Sequence, residues 1–209
     1  MPRDGTATRE RILDSAERLM IDRGFAATTV DAVLAGAGAT KGAFFHHFAS
    51  KAALARSLVE RYAAADVAVL EDFMMRAEAE SNDPAEQVIT FVRLFEEAAE
   101  ELASMQPGCL YVSYIYEKQL FDDGTNDAIV DAVLTWRERL RAKLEAASTA
   151  HPPRVGVELG SLADQVFTIF EGGFILARTM RDPTHLRSQL THLRHYLELL
   201  FAIEPARSD

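Results

Sequence analysis

Glycine and proline punctuate this chain, and the segments between them set the fold. The breaks fall at Gly24, Gly36 and Gly38, Pro84, Pro107-Gly108, Gly124, Pro152-Pro153 and Pro183. Between them run stretches rich in Ala, Leu, Glu and Arg, residues that lose little on entering a helix. Neither an internal repeat nor a low-complexity tract interrupts the pattern. Hydrophobic residues make up 48% of 209, enough for a buried core. An all-α protein of about nine helices is expected.

The first 50 residues divide finely. A helix from about Thr8 to Arg23 carries Ile12, Ala16, Leu19 and Met20 at helical spacing. Thr8 is its expected cap and Gly24 its stop. Thr29 caps a short second helix, with Asp31 in its first turn, where the dipole favours an acid. The stretch AGAGAT (35 to 40) reads as a tight turn. A third helix, Lys41 to His47, follows, and Ser50 caps a long fourth helix from Lys51. Two short helices joined by a glycine turn form the helix-turn-helix pattern, whose second helix lies in the DNA major groove.

That pattern explains TKGAFFHHF, residues 40 to 48. Phe44 and Phe48, four apart, share the face that holds the helix down. Thr40, Lys41, Gly42, Ala43, Phe45, His46 and His47 lie toward the other face and the N-terminal end. Small Gly42 and Ala43 let backbone approach DNA, and Lys41 sits where a cation meets a phosphate or a guanine edge. His46 and His47 point about 100° apart and cannot chelate together. No cysteine or acid nearby completes a metal set.

The stretch TTVDAVLAGAGATKGAFFHHFASKAAL resembles the DNA-binding motif of TetR-type repressors, over roughly residues 8 to 56. The Thr-Val opening, the Gly-x-x-Lys-Gly turn, the aromatic third helix and the Phe-x-Ser-Lys exit occur together. The resemblance implies a homodimeric transcriptional regulator, usually a repressor, that a small-molecule effector releases from a palindromic double-stranded DNA operator. It implies a DNA-binding domain at 1-52 and an effector-binding and dimerisation domain at 53-209. DNA contacts are expected from Thr29, Thr40, Lys41, Gly42, Ala43, Phe45, His46, His47 and Lys51. Phe45 stands where the family usually has tyrosine, so a phosphate-contacting hydroxyl is missing and a histidine would supply the polar contact.

A net charge of -10 argues against nucleic acid until it is divided. Residues 1 to 65 hold nine Lys/Arg and seven Asp/Glu, a net of +2, leaving -12 for the remainder. A local basic face is therefore open to the N-terminal region. The start, MPRDGTATRERIL, lacks the apolar stretch of a secretory signal, and no window approaches the roughly 18 apolar residues of a membrane span. A cytoplasmic protein without membrane contact is expected.

Beyond residue 53, Phe91, Phe95, Tyr111, Tyr114, Trp136, Phe167, Phe170 and Phe174 are candidates to line an effector pocket, each equally readable as core. Tyr114, Glu117, Glu171 and Arg178 could orient a ligand. Leu110 to Tyr116 is aromatic and β-branched, a strand by propensity; the resemblance makes it a buried helix. The single cysteine, Cys109, reads as a small buried hydrophobe, with an oxidant- or electrophile-sensing thiol as the alternative. LGSLADQVFTIFEGGFILARTM reads as a largely buried helix. Its Gly172-Gly173 pair costs about 1 kcal/mol per glycine and points to a close helix approach. Leu186, Leu190, Leu193, Leu197 and Leu200 recur at spacings of four and three, an a/d seam. That seam suits either an intrachain contact or, preferably, a dimer interface in a four-helix bundle, with His192 and His195 on its rim.

Other function classes find less support. No Ser/His/Asp set, metal cluster or phosphate-binding glycine loop suggests an enzyme, and no cofactor is implied. An interaction protein that has lost DNA binding would rest on Phe45 alone.

Overall fold

The computed structural model describes residues 5–105, 109–121 and 123–203. Its helices are α1 (Gly5–Arg23), α2 (Val30–Ala37), α3 (Lys41–His47), α4 (Lys51–Glu80), α5 (Pro84–Met105), α6 (Leu110–Ile115), α7 (Asp123–Ala150), α8 (Leu159–Met180) and α9 (Thr184–Phe201), with a short 3-10 turn at Lys118–Leu120. No strand occurs among the described residues, so the all-α expectation holds.

The expected caps form at three helices. The side chains of Thr29, Thr40 and Ser50 accept hydrogen bonds from the backbone N–H groups of Ala32, Ala43 and Ala53, at 3.1, 3.2 and 3.0 Å. Thr8 does not cap α1, which already runs from Gly5; its hydroxyl accepts from Arg11 instead. The expected turn at 35 to 40 is shorter than its glycines suggest. α2 continues to Ala37, and only Gly38 takes the left-handed backbone, at φ 60°. Gly36 lies inside α2 because a Cβ there would stand 2.3 Å from the Ser15 hydroxyl of α1. That hydroxyl donates to the Val33 carbonyl at 2.9 Å, which locks α1 against α2.

The chain forms two compact units. One comprises Met1–Ala65 and Gly108–Ala132, the other Asp66–Pro107 and Val133–Asp209. α4 and α7 thus contribute to both, whereas the sequence suggested a single cut after residue 52. The first unit buries Ile12, Leu13, Ala16, Met20, Phe44, Leu54, Leu58, Leu110 and Tyr114. α6 is helical against its own strand propensity because Leu110, Tyr111 and Tyr114 share one buried face; burial outweighs a local preference.

The second unit packs α5, α8 and α9 with parts of α4 and α7. Its core includes Leu70, Phe91, Phe95, Leu140, Leu162 and Val166. All five leucines of the expected dimer seam belong to this core. Leu186, Leu190, Leu193, Leu197 and Leu200 are each at most 2% exposed in the single chain, so they cannot face a second copy. Gly173 explains how α9 comes so close to α8: a Cβ there would meet Leu186 Cδ1 at 2.5 Å and its Cα at 3.1 Å. Glu96 of α5 fastens the same helix, accepting from Arg194 at 2.7 Å and Thr191 at 2.8 Å. α8 is less buried than its composition suggests. It is long and apolar enough to cross a membrane by composition alone, and Ile175, Leu176 and Met180 are exposed.

Candidate functional site

α3 has two faces of opposite character. Phe44 and Phe48 are buried and fix the helix to its unit, with the Arg9 guanidinium 5.5 Å from the Phe48 ring centroid. Lys41, Gly42, Phe45 and His46 are exposed, and Ala43 and His47 are half-buried at the margin. Thr40 is exposed; its hydroxyl accepts the cap hydrogen bond from Ala43 and retains an O–H to donate. Lys41 pairs with Asp31 at 3.0 Å, both well exposed. This joins the first turns of α2 and α3; Thr29, the cap of α2, is exposed two residues before Asp31. Such an exposed pair holds weakly and exchanges readily for another anion.

Lys51 departs from the expectation of a DNA contact. Its ammonium donates to the Phe25 carbonyl and sits 4.0 Å from the Phe25 ring centroid. Burial draws its pKa below the usual lysine value, and the Glu117 carboxylate opposes that. The residue holds the turn after α1.

Glu117 does likewise. It accepts from the backbone N–H of Phe25 at 2.7 Å and of Ala26 at 3.1 Å, so it is a structural clamp rather than a ligand-orienting group. Nothing in the sequence signals this, because the partners lie more than 90 residues apart. Nearby, the Tyr114 hydroxyl lies 3.2 Å from the Met20 sulfur, and its ring stacks on Phe121 at 4.4 Å. Burial first, then Glu117 and Glu17, drive its phenol pKa upward.

The eight aromatic residues proposed for an effector pocket do not form one group. Tyr111 and Tyr114 belong to the first unit, Tyr111 packing edge-on against Tyr62 at 5.0 Å. In the second unit Phe95 is the hub of a cluster, at 5.1 Å from Phe91, 5.7 Å from Trp136 and 4.9 Å from Phe170. Phe174 joins through Phe170 at 6.4 Å. The Trp136 indole donates to Asp66 at 2.8 Å. Phe167 is half-buried on α8. Beside the cluster is a hollow of about 280 Å³ walled by Ala103, Phe174, Ala177 and Pro183, with Arg178, Arg181 and Asp182 also lining it. Cys109 is buried just before α6. No group of three or more possible metal ligands occurs among the described residues.

The outer faces of α8 and α9 carry a feature the sequence reading missed. Leu176, Met180, Tyr196 and Leu199 are exposed, Leu199 at 66%. His192 and His195 lie on the same outer side of α9. Gly172, unlike Gly173, has open space where a Cβ would be. The available signal was the apolar residue left over on α9 once the leucine seam is assigned to the core.

Residues 12–58 match the family model for bacterial regulatory proteins of the tetR family. Residues 84–193 match that for the tetracyclin repressor-like C-terminal domain. The transcriptional regulator AcuR of Cereibacter sphaeroides is 23% identical over 195 residues, 93% of this chain and 87% of AcuR. The HTH-type transcriptional repressor NemR of Escherichia coli K12 is 34% identical over 76 residues, 36% of this chain and 38% of NemR. Among solved structures, a TetR transcriptional regulator from Chloroflexus aurantiacus J-10-FL superposes with a TM-score of 0.77 at 25% identity, over 95% of this chain and 98% of that one.

Proposed function

This chain belongs to the TetR family of bacterial regulatory proteins, and from that membership we propose that it is a homodimeric repressor, released from a palindromic operator by a small-molecule effector. It is a DNA-binding transcriptional regulator by family. The finer reading rests chiefly on α3, whose polar and small residues are exposed while Phe44 and Phe48 anchor it. Thr29, Thr40, Lys41, Gly42, Ala43, Phe45, His46 and His47 are its DNA-contacting set. Lys51 leaves that set, being engaged with Phe25.

The dimer forms through the outer faces of α8 and α9. Leu176, Met180, Tyr196 and Leu199 supply the apolar contact, and Gly172 lets the second copy approach. Two helices from each copy then make a four-helix bundle, and the two α3 helices enter major grooves about 34 to 36 Å apart. The effector binds in the second unit, among Phe91, Phe95, Trp136, Phe170 and Phe174, with the adjoining hollow as the open part of the site. It releases DNA by binding more tightly to a dimer state whose α3 spacing no longer fits.

Binding of the purified protein to duplexes from its own upstream region tests the DNA reading, with Lys41→Ala alongside. The variant is expected to bind more weakly and to keep the wild-type oligomeric state; equal binding by both would remove Lys41 from the interface. A thermal-melting screen against apolar, aromatic, acidic and electrophilic compounds, with Cys109→Ser in parallel, tests the effector reading. A reversible rise in both proteins supports a noncovalent pocket. A response in the wild type alone would make Cys109 the sensor.

A further inference from the structure

We propose that Phe45 is a specificity-determining residue, its exposed ring packing against the 5-methyl group of a thymine in the major groove. The inference rests on the DNA-contact reading of α3. At about 100° per residue, Lys41 and Phe45 fall on one line of the helix, with Gly42 and His46 beside it, and all four are exposed. Phe45 is 63% exposed, and it is the one aromatic carbocycle on that face. Its ring stands edge-on against the buried ring of Phe44, 5.3 Å away and at 88°. The exposed ring is therefore propped in place by a core residue.

Gly42 is the second observation. Its backbone lies outside the positive-φ region, and a Cβ there would meet only the Thr40 hydroxyl, at 3.9 Å. The fold does not require a glycine, yet glycine weakens a helix relative to alanine. Gly36 differs, since its missing side chain makes room for Ser15. The notch at Gly42 lowers the surface next to Phe45 and lets base edges come up to the ring.

Chemistry then selects the partner. A phenylalanine ring offers no hydrogen bond. Among base edges in the major groove the thymine methyl is the distinctive apolar group. Lys41, the lysine on this face, already has Asp31 as a partner. That exposed pair exchanges readily for a phosphate, so Lys41 supplies the charged contact and the ring the apolar one.

The test selects bound duplexes from a random-sequence library with the full-length protein, then replaces each thymine of the recovered site singly by deoxyuridine, which removes only the methyl. At one or two thymines the wild type is expected to bind about fourfold more weakly, the loss of one methyl-sized apolar contact. Phe45→Ala is expected to be indifferent to the same replacements while melting at the wild-type temperature. The proposal fails if no replacement affects the wild type, or if Phe45→Ala loses the same factor. If no duplex is recovered at all, the DNA-contact reading of α3 falls first, and that result is distinct from either of these.

Discussion

α3 and α9 both read as interfaces in the sequence, and the structure treats their flagged residues in opposite ways. In α3 the residues flagged for contact lie outward and two phenylalanines anchor the helix. In α9 the flagged residues are the anchor, and the outward side carries Tyr196 and Leu199 instead. A heptad seam states that one stripe of a helix is buried; it does not state against what. Charge and small residues beside an aromatic anchor carry more, because a lysine ammonium is costly to bury and a glycine with open space around it serves no packing within the chain. The glycines repeat the contrast. Gly36 and Gly173 each leave room for a neighbour within the chain, whereas Gly42 and Gly172 leave room for none that is present.

The largest effect should come from the inner face of α9. Leu193→Ala, in urea unfolding, is expected to cost about 2–5 kcal/mol, as for large-to-small changes in a packed core. A variant that unfolds like the wild type but sediments as a smaller species would return the leucines to an interface and break the comparison. The outer face should behave in reverse. Leu199→Asp is expected to leave helical content intact and to weaken self-association by roughly 2 kcal/mol or more, the scale of a central interface residue. Unchanged sedimentation would remove the outer stripe from the dimer.

On α3 the expected effects are smaller. Lys41→Ala should weaken DNA binding roughly uniformly across sequences and lower the salt slope by about one, without a change in melting temperature. Asp31→Asn frees the lysine and should strengthen binding by less than about 1 kcal/mol, the worth of an exposed pair. A loss of affinity in that variant would mean that Asp31 orients Lys41 rather than competing for it.

The smallest effect concerns pH. Glu96 is partly buried, which raises its pKa, but hydrogen bonds from Arg194 and Thr191 outweigh this and hold it below the usual glutamate value. A carboxylate depressed in the folded state stabilises fully above its unfolded pKa, about 4.3. That contribution is lost as pH falls through the lower, folded value. Melting temperatures taken from pH 7 to pH 3 should therefore fall less steeply below about pH 4 for Glu96→Gln than for the wild type. Parallel curves would show that the α5–α9 tie carries no pH-dependent stability.

Much of α1 to α4 was legible because its signals are local. Caps lie three residues from their partners, and Phe44 and Phe48 lie one turn apart. The engagement of Lys51 was not legible because the carbonyl that accepts its hydrogen bond belongs to Phe25, 26 residues earlier. α6 was legible only through resemblance, since its own residues favour a strand. Tyr111 and Tyr114 were grouped with Phe95 because apolar aromatics look alike until the chain shows which unit encloses them.

The placing of α6 bears on how the protein is made. Glu117 closes the turn at Phe25, and Leu110 and Tyr114 fill a core that α1 and α4 otherwise share. A ribosome delivers residues from the N-terminus, and domains ordinarily fold as they emerge. This unit cannot be completed in that order, because it needs residues from Gly108 to Ala132. The nascent chain must release much of α4, all of α5 and then α6 before this unit can close. A fragment ending near Ala65 would leave the Phe25 and Ala26 amides without their carboxylate and the core without Tyr114. The segment that matches the tetR-family model is encoded first and finished late.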